Sequence, residues 1–336
     1  MNDTEPENLP EATQDQFPKS FDNWIHPPLT GCLFLTGATG SGKTPLALAV
    51  AEELDAEIIS LDSMAIYRGM DIGTAKPSRQ QQQSIPHHML DIVDPTEAFS
   101  VSSFVVETHR CARKILDSGK RVLVCGGTPL YLKSLIRGLF LGPEADWDFR
   151  NSIEEDLKRY GQDAMLARLA QVDPILADKL HPHDHRRIIR ALEVAKHTGK
   201  PLSHWQEQFD IPADKTQFPS AVLSIDRTWL HQRINERVDS MLAAGLEAEV
   251  RSLLKKHETL GRTAAQAVGY REMIDYVEQK TSLEEASELI KAHTRQFARR
   301  QEIWFRGLTE LQPIEVKPGK PMEEMVAEIT AVFNAN

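Results

Sequence analysis

Eight consecutive residues, Gly37, Ala38, Thr39, Gly40, Ser41, Gly42, Lys43 and Thr44, read G-x-x-x-x-G-K-[ST], a spacing suited to holding a polyphosphate. Small residues let backbone N–H groups turn inward around phosphate oxygens. Lys43 brings a point charge, and the Thr44 hydroxyl is a candidate ligand for magnesium. The loop leaves open whose phosphates it holds, because ATP phosphoryl transfer and departure of pyrophosphate from another substrate both need a diphosphate cradle. Asp62 ends the apolar run "AEIISLD". There it would act as a general base or an outer magnesium ligand, or simply cap the turn that begins at Ser63. Thr128, in "GGTPLYLKSL", stands at a similar strand exit as a neutral donor.

The cations fall into three groups. Arg186, Arg187 and Arg190 sit in "HRRIIRALEV", where a four-residue step puts Arg186 and Arg190 on one helix face and leaves Ile188 and Ile189 for the buried side. Contact with a phosphate backbone and an ordinary salt-bridge face both fit that pattern. Arg233 and Arg237 repeat the step in "RINERVDSML". One of them is placed to meet a leaving diphosphate opposite Lys43, unless Glu236 or Asp239 claims it. Arg295, Arg299 and Arg306 make a basic stripe with Phe297, Trp304 and Leu308 on the other side. His87 and His88 are adjacent, so in an extended segment they point apart and do not make a zinc site.

These residues need a scaffold at whose edge they can meet. "CLFLTG", "AEIISLD", "RVLVCGG" and "AVLSID" are short apolar runs alternating with helical stretches, which predicts an α/β fold with a parallel sheet covered by helices and ligands at the strands' carboxyl ends. Between 147 and 213 the pattern turns wholly helical, predicting an inserted helical domain within a core formed by 28–146 and 214–336. Residues 1–27 are acidic and Pro-rich and read as a disordered tail. The chain has 336 residues, with 39 Lys and Arg against 49 Asp and Glu. That balance argues against a generally basic nucleic-acid coat and leaves local patches to decide. Three scattered cysteines suit a reduced cytoplasmic setting, and no run approaches the length of a membrane span.

The ordered set "GATGSGKT", "EIISLDSMAIYRGMDIGTAKPS", "PHHMLDIVDP", "GGTPLYLKSL", "DHRRIIRALEVAKHTGKP", "RINERVDSMLAAGLEAEV", "AVGYREMIDY" and "HTRQFARRQEIWFR" resembles the bacterial tRNA dimethylallyltransferases, also called tRNA isopentenyltransferases, from Gly31 to about Gly307. The resemblance implies a P-loop core that holds dimethylallyl diphosphate with Mg2+. The prenyl group would pass to the N6 amine of the adenosine 3′ of the anticodon. It implies Asp62 as general base, Thr128 as its organiser, and Thr44 and Arg237 on the diphosphate. It implies tRNA contacts at Asp62, Ser63, Met64, Ala65, Thr128, Arg150, Arg186, Arg187, Ile188, Ile189 and Arg190, in a monomeric cytoplasmic protein without zinc. The chain departs from the family pattern at Met64 and Ala65, where an Arg-Gln pair is common, and at Pro129, where a glycine is usual. Two other readings start from the same loop: prenyl transfer to free adenine nucleotides, and a small-molecule kinase using ATP.

Overall fold

The computed structural model describes residues 25–335. Residues 1–24 of the expected tail lie outside them. The described residues form two compact units, one of Pro28–Arg137 with residues 211–335, the other of Gly138–Asp210 with residues 25–27. Eight strands occur among the described residues: β1 (Ile25–His26), β2 (Leu33–Gly37), β3 (Ala56–Leu61), β4 (His87–His88), β5 (Arg121–Gly126), β6 (Leu139–Phe140), β7 (Ser220–Ile225) and β8 (Gln312–Val316). No helix among those residues is long and apolar enough to cross a membrane.

In the larger unit six strands lie parallel in the order β4-β3-β5-β2-β7-β8. Their near-continuous apolar runs suit a sheet covered on both faces, and Phe34, Leu35, Ile59, Leu123 and Val124 are completely buried. β3 is therefore not the neighbour of β2, as its order in the chain suggests, because β5 lies between them. The register still brings their carboxyl ends level. Gly126 of β5 pairs with Thr36 on one side and Leu61 on the other, and a Cβ on Gly126 would sit 2.2 Å from the Leu61 carbonyl oxygen. Glycine here permits the close approach that lines up the three strand exits.

The long helical run after β7 is two helices, Arg227–Ala243 and Leu246–His257, separated at Gly245 with φ of 100°, a conformation glycine adopts without strain. The second helix holds the "YRGMDIGTAKP" loop. Glu249 accepts the N–H groups of Asp71, Ile72 and Gly73 at 2.9, 2.7 and 3.2 Å and the Tyr270 hydroxyl at 2.6 Å. Three successive N–H groups converging on a carboxylate form an anion nest filled by the protein's own side chain. Lys76 closes the loop from its other end, donating to Tyr67 O at 2.6 Å and Asp71 at 2.7 Å.

The smaller unit is helical: Trp147–Tyr160, Gln162–Val172, Pro174–Lys179 and His185–Thr198, then two short turns ending at Asp210. Ile153, Leu169, Ile188 and Val194 form its core. Its limits differ from the expected 147–213 at both ends. Phe140 stacks on Trp205 at 4.9 Å, which draws β6 in, and β1 pairs antiparallel with β6, so Ile25 and His26 are strand rather than tail. Ala213 belongs to the larger unit, where its N–H donates to Glu310 at 2.9 Å. Glu310 is buried and also takes Arg137 through two bonds of 2.6 and 2.9 Å. One carboxylate thus fixes the residue where the chain leaves the larger unit and a residue just after it returns.

Candidate active site

The Gly37–Thr44 loop joins β2 to the Lys43–Glu53 helix. Gly40 and Gly42 have φ of 83° and 93°, and side chains from the Arg227–Ala243 helix lie close against both. A Cβ on Gly40 would meet Ile234 at 3.0 Å, and one on Gly42 would meet Arg233 Nη2 at 3.2 Å. Lys43 Nζ donates to the carbonyls of Gly37 and Ala38, each at 2.8 Å, bending back along the loop. Ala38 and Ser41 are buried, and the Ser41 hydroxyl has no hydrogen-bond partner. The Thr39 N–H donates to Gln301 Oε1 at 2.8 Å, while Gln301 Nε2 donates to Gly127 O at 2.5 Å. A buried amide thereby ties the loop to the exit of β5.

Asp62 follows β3. Its Oδ1 accepts the N–H groups of Met64 at 2.7 Å and Ala65 at 3.2 Å, so the turn-capping role is real. Both bonds fall on Oδ1, and the capped carboxylate is held in one orientation with Oδ2 outside them. Thr128 joins the same turn, its hydroxyl accepting the Ser63 N–H at 3.2 Å while its own N–H donates to Leu61 O at 3.2 Å. Pro129 begins the Pro129–Arg137 helix, where its missing N–H would have been unpaired in any case. Replacement of glycine there leaves Thr128 in place. Ala65 is buried, and Met64 is partly buried against the apolar cluster that includes Tyr67 and Met70.

The electrostatics of this cluster favour an anion. Burial pushes Lys43 down to about 8, with Cys125 and Asp62 pulling it up and Arg237 pushing it further down. Burial also lowers Arg237, opposed by Asp62 and reinforced by Arg233. Burial pushes the Cys125 thiol up to about 11, so it stays neutral beside Lys43. The acids that might have claimed the arginines are engaged elsewhere, Glu236 with Gln232 at 2.8 Å and Asp239 with Lys291 at 2.8 Å. Lys43 and Arg237 therefore share the neighbourhood of one carboxylate, Asp62, with Arg233 next to Arg237, in a partly water-excluded setting where charge interactions are strengthened.

The second group of expected residues lies in the smaller unit. Arg186 and Arg187 are exposed, and Arg187 makes only a 3.8 Å approach to Asp184. Ile188 and Ile189 are buried in the helical core, so their side chains do not present to a ligand. Arg150 and Arg190 are not simple surface cations. Both donate to Glu193, Arg150 through Nε and Nη2 at 2.8 Å each and Arg190 at 2.5 Å. The hydrogen bonds from these arginines hold Glu193 below its usual range against the opposing effect of its burial.

His88 bonds Glu57 at 2.7 Å, and His87 lies 2.7 Å from Ile85 O. Among the described residues no group of three or more His, Cys, Asp or Glu is arranged for a metal. In the Leu283–Arg306 helix, Phe297 and Trp304 are exposed, and the buried seam is instead Ala286, Ile290, Ala298, Gln301 and Phe305. Gln301 was legible as a polar residue within that seam. Glu193 sits likewise on the apolar face of its helix, three residues after Arg190, and Glu249 gave no comparable signal.

Residues 65–308 match the family model described as IPP transferase. The chain is 46% identical over 311 residues to the tRNA dimethylallyltransferase of Rhodopirellula baltica, covering 90% of this chain and 91% of that one. It is 43% identical to the protein of the same name from Geobacter metallireducens, covering 87% and 94%. Among solved structures, the tRNA isopentenylpyrophosphate transferase of Bacillus halodurans superposes with a TM-score of 0.65 at 35% identity, covering 91% of this chain and 97% of that one. A eukaryotic dimethylallyltransferase acting on tRNA gives a TM-score of 0.71 at 28% identity, covering 89% and 77%. With a family match over more than half its length and relatives of this identity along nearly all of it, the chain belongs to the IPP transferase family.

Proposed function

We propose that the protein transfers the dimethylallyl group of dimethylallyl diphosphate to the exocyclic N6 amine of the adenosine 3′ of the anticodon in tRNA, releasing diphosphate. The observation that carries this reading is the meeting of the Gly37–Thr44 loop with Asp62, Thr128, Arg233 and Arg237 at the aligned exits of β2, β3 and β5. The C–O bond to the diphosphate breaks, the N6–C bond forms, and the N6 proton passes to Asp62. An adenine amine is a poor nucleophile, so removing that proton during attack lowers the barrier. Charge grows on the leaving diphosphate, and Lys43, Arg233 and Arg237 are the groups that meet it.

The Gly37–Thr44 loop serves as the P-loop. Its lysine is bonded to loop carbonyls that a phosphate would replace as partners, and the loop's small residues leave room for the backbone to wrap an anion. Magnesium suits this donor set. It needs few protein ligands and takes the rest from phosphate and water, so Thr44, at the start of the Lys43–Glu53 helix, would hold it and its charge would help neutralise the diphosphate. The target base must leave its stack to reach Asp62. The smaller unit supplies RNA contacts through Arg186 and Arg187, with Arg150 and Arg190 supporting. The protein works as a cytoplasmic monomer.

The test is nucleoside mass spectrometry of unmodified tRNA incubated with protein, magnesium and dimethylallyl diphosphate, beside a reaction containing ATP instead. A prenyl mass on the adenosine next to the anticodon is expected only with the isoprenoid donor. ATP consumption without a tRNA adduct would overturn the reading in favour of a kinase, and a prenyl adduct on free AMP but not on tRNA would move the acceptor to nucleotides.

A further inference from the structure

Trp147 opens the Trp147–Tyr160 helix and is 63% exposed, unusual for a residue type that is highly buried on average. The guanidinium of Arg150 lies 5.2 Å from its ring centroid, within cation–π range. Arg150 is itself fixed, because its Nε and Nη2 grip the two oxygens of Glu193, whose side chain is completely buried. That fork uses one edge of the guanidinium and leaves the Nη1 donors outside it.

Charge of both signs borders the ring, because Glu144 and Asp148 are exposed beside it in the chain. Glu193 is shared between Arg150 and Arg190, so two guanidiniums face one carboxylate. The nearby Asp146 is occupied by Lys196 and His197, each at 2.9 Å, and by the Phe149 N–H. Arg186 and Arg187 stand exposed in the same unit. An exposed aromatic face beside an oriented, incompletely neutralised arginine is the combination that holds single-stranded nucleic acid, the base on the ring and the phosphate on the cation. The open edge of the oriented Arg150 guanidinium favours a phosphate-bearing ligand over an apolar protein surface, and the open ring favours an unpaired base over a duplex.

We infer that Trp147, with Arg150 set beside it by Glu193, is a stacking platform for one unpaired nucleotide of the bound RNA. The inference rests on the reading that the protein acts on RNA. Trp147 contributes base contact, Arg150 contributes phosphate contact through its open edge, and Glu193 is a positioning residue that touches no substrate.

The test compares wild type, Trp147→Ala and Trp147→Phe for binding to a stem-loop RNA and to a blunt duplex of matched composition, across a salt series. Trp147→Ala is expected to weaken stem-loop binding by roughly tenfold. The slope of log Kd against log salt should stay unchanged, because no charge is lost. Trp147→Phe retains most of the affinity, and duplex binding is unaffected in both variants. Stem-loop affinity equal to wild type in Trp147→Ala overturns the platform. So does an equal loss on stem-loop and duplex with a lower melting temperature, which marks a merely structural ring. Failure of the wild type to bind either RNA overturns the RNA reading itself.

Discussion

The cations at the Gly37–Thr44 loop and those of the helical unit are kept in opposite ways. At the loop, Lys43 is half-buried and bonded to neutral carbonyls, and the half-buried Arg237 lies near Arg233 with Asp62 as counter-charge to both Lys43 and Arg237. In the helical unit, Arg150 and Arg190 are clamped on the buried Glu193, while Arg186 and Arg187 extend into water. The first arrangement concentrates incompletely neutralised charge where water is partly excluded, which strengthens its hold on an anion that enters. The second orients some cations and leaves others to act through a screened field. Chemistry should therefore be sensitive to single changes at the loop, and RNA binding should be spread over many small contributions.

The largest effect should come from Asp62→Asn. The amide oxygen can still accept the Met64 and Ala65 N–H groups, so the turn survives, but the proton acceptor is gone. Steady-state kinetics should show kcat falling by about 10²–10⁴, and a rate within a factor of two or three of wild type would remove Asp62 as the base. Next comes the clamp of the other region. Glu193→Ala leaves two arginines facing a void, a loss of about 3–5 kcal/mol for a broken buried pair, read by denaturant unfolding. An unchanged midpoint would mean that Arg150 and Arg190 are as free as Arg186.

The pH response sharpens the contrast. Lys43 is lowered to about 8, so it is charged below that value and loses its charge as pH rises through it. The kcat/KM for the diphosphate donor should then fall with pH above about 8, because this parameter reports the free enzyme. Lys43→Arg should remove that limb, since a guanidinium stays charged. A limb that persists in Lys43→Arg belongs to another group. The smallest effect is at the exposed end: Arg187→Ala should weaken RNA binding modestly and lower the salt slope by about 1, with stability unchanged. A large stability loss would show Arg187 to be structural.

Much of this architecture is legible in the sequence because apolar runs and glycine spacing encode it locally. "CLFLTG" followed by the G-x-x-x-x-G-K-[ST] spacing announces β2 and the loop, and Asp62 and Thr128 stand at strand exits that periodicity alone can locate. What stays hidden depends on pairing at a distance. Nothing near Leu61 says that β5 separates β3 from β2. Gln301 reaches Thr39 from 262 positions away. Phe297 and Trp304 fall outside the packed seam because Ala298 and Gln301, small and polar, form it, while Arg299 and Arg306 stay exposed. Glu193 stands out on the apolar face of its helix, but that it holds both Arg150 and Arg190 shows only in the fold.

The most direct test of the division between the two regions is to measure, on the same preparations, the stem-loop RNA Kd and the single-turnover prenyl-transfer rate at saturating RNA. The proteins are wild type, Asp62→Asn, and the double variant Arg186→Ala with Arg187→Ala. The account predicts a crossed pattern: Asp62→Asn binds RNA like wild type and transfers at least about a hundredfold more slowly, while the arginine variant binds more weakly and transfers at nearly the wild-type rate once saturated. Loss of binding and rate together in both variants, or a wild-type rate in Asp62→Asn, would contradict it.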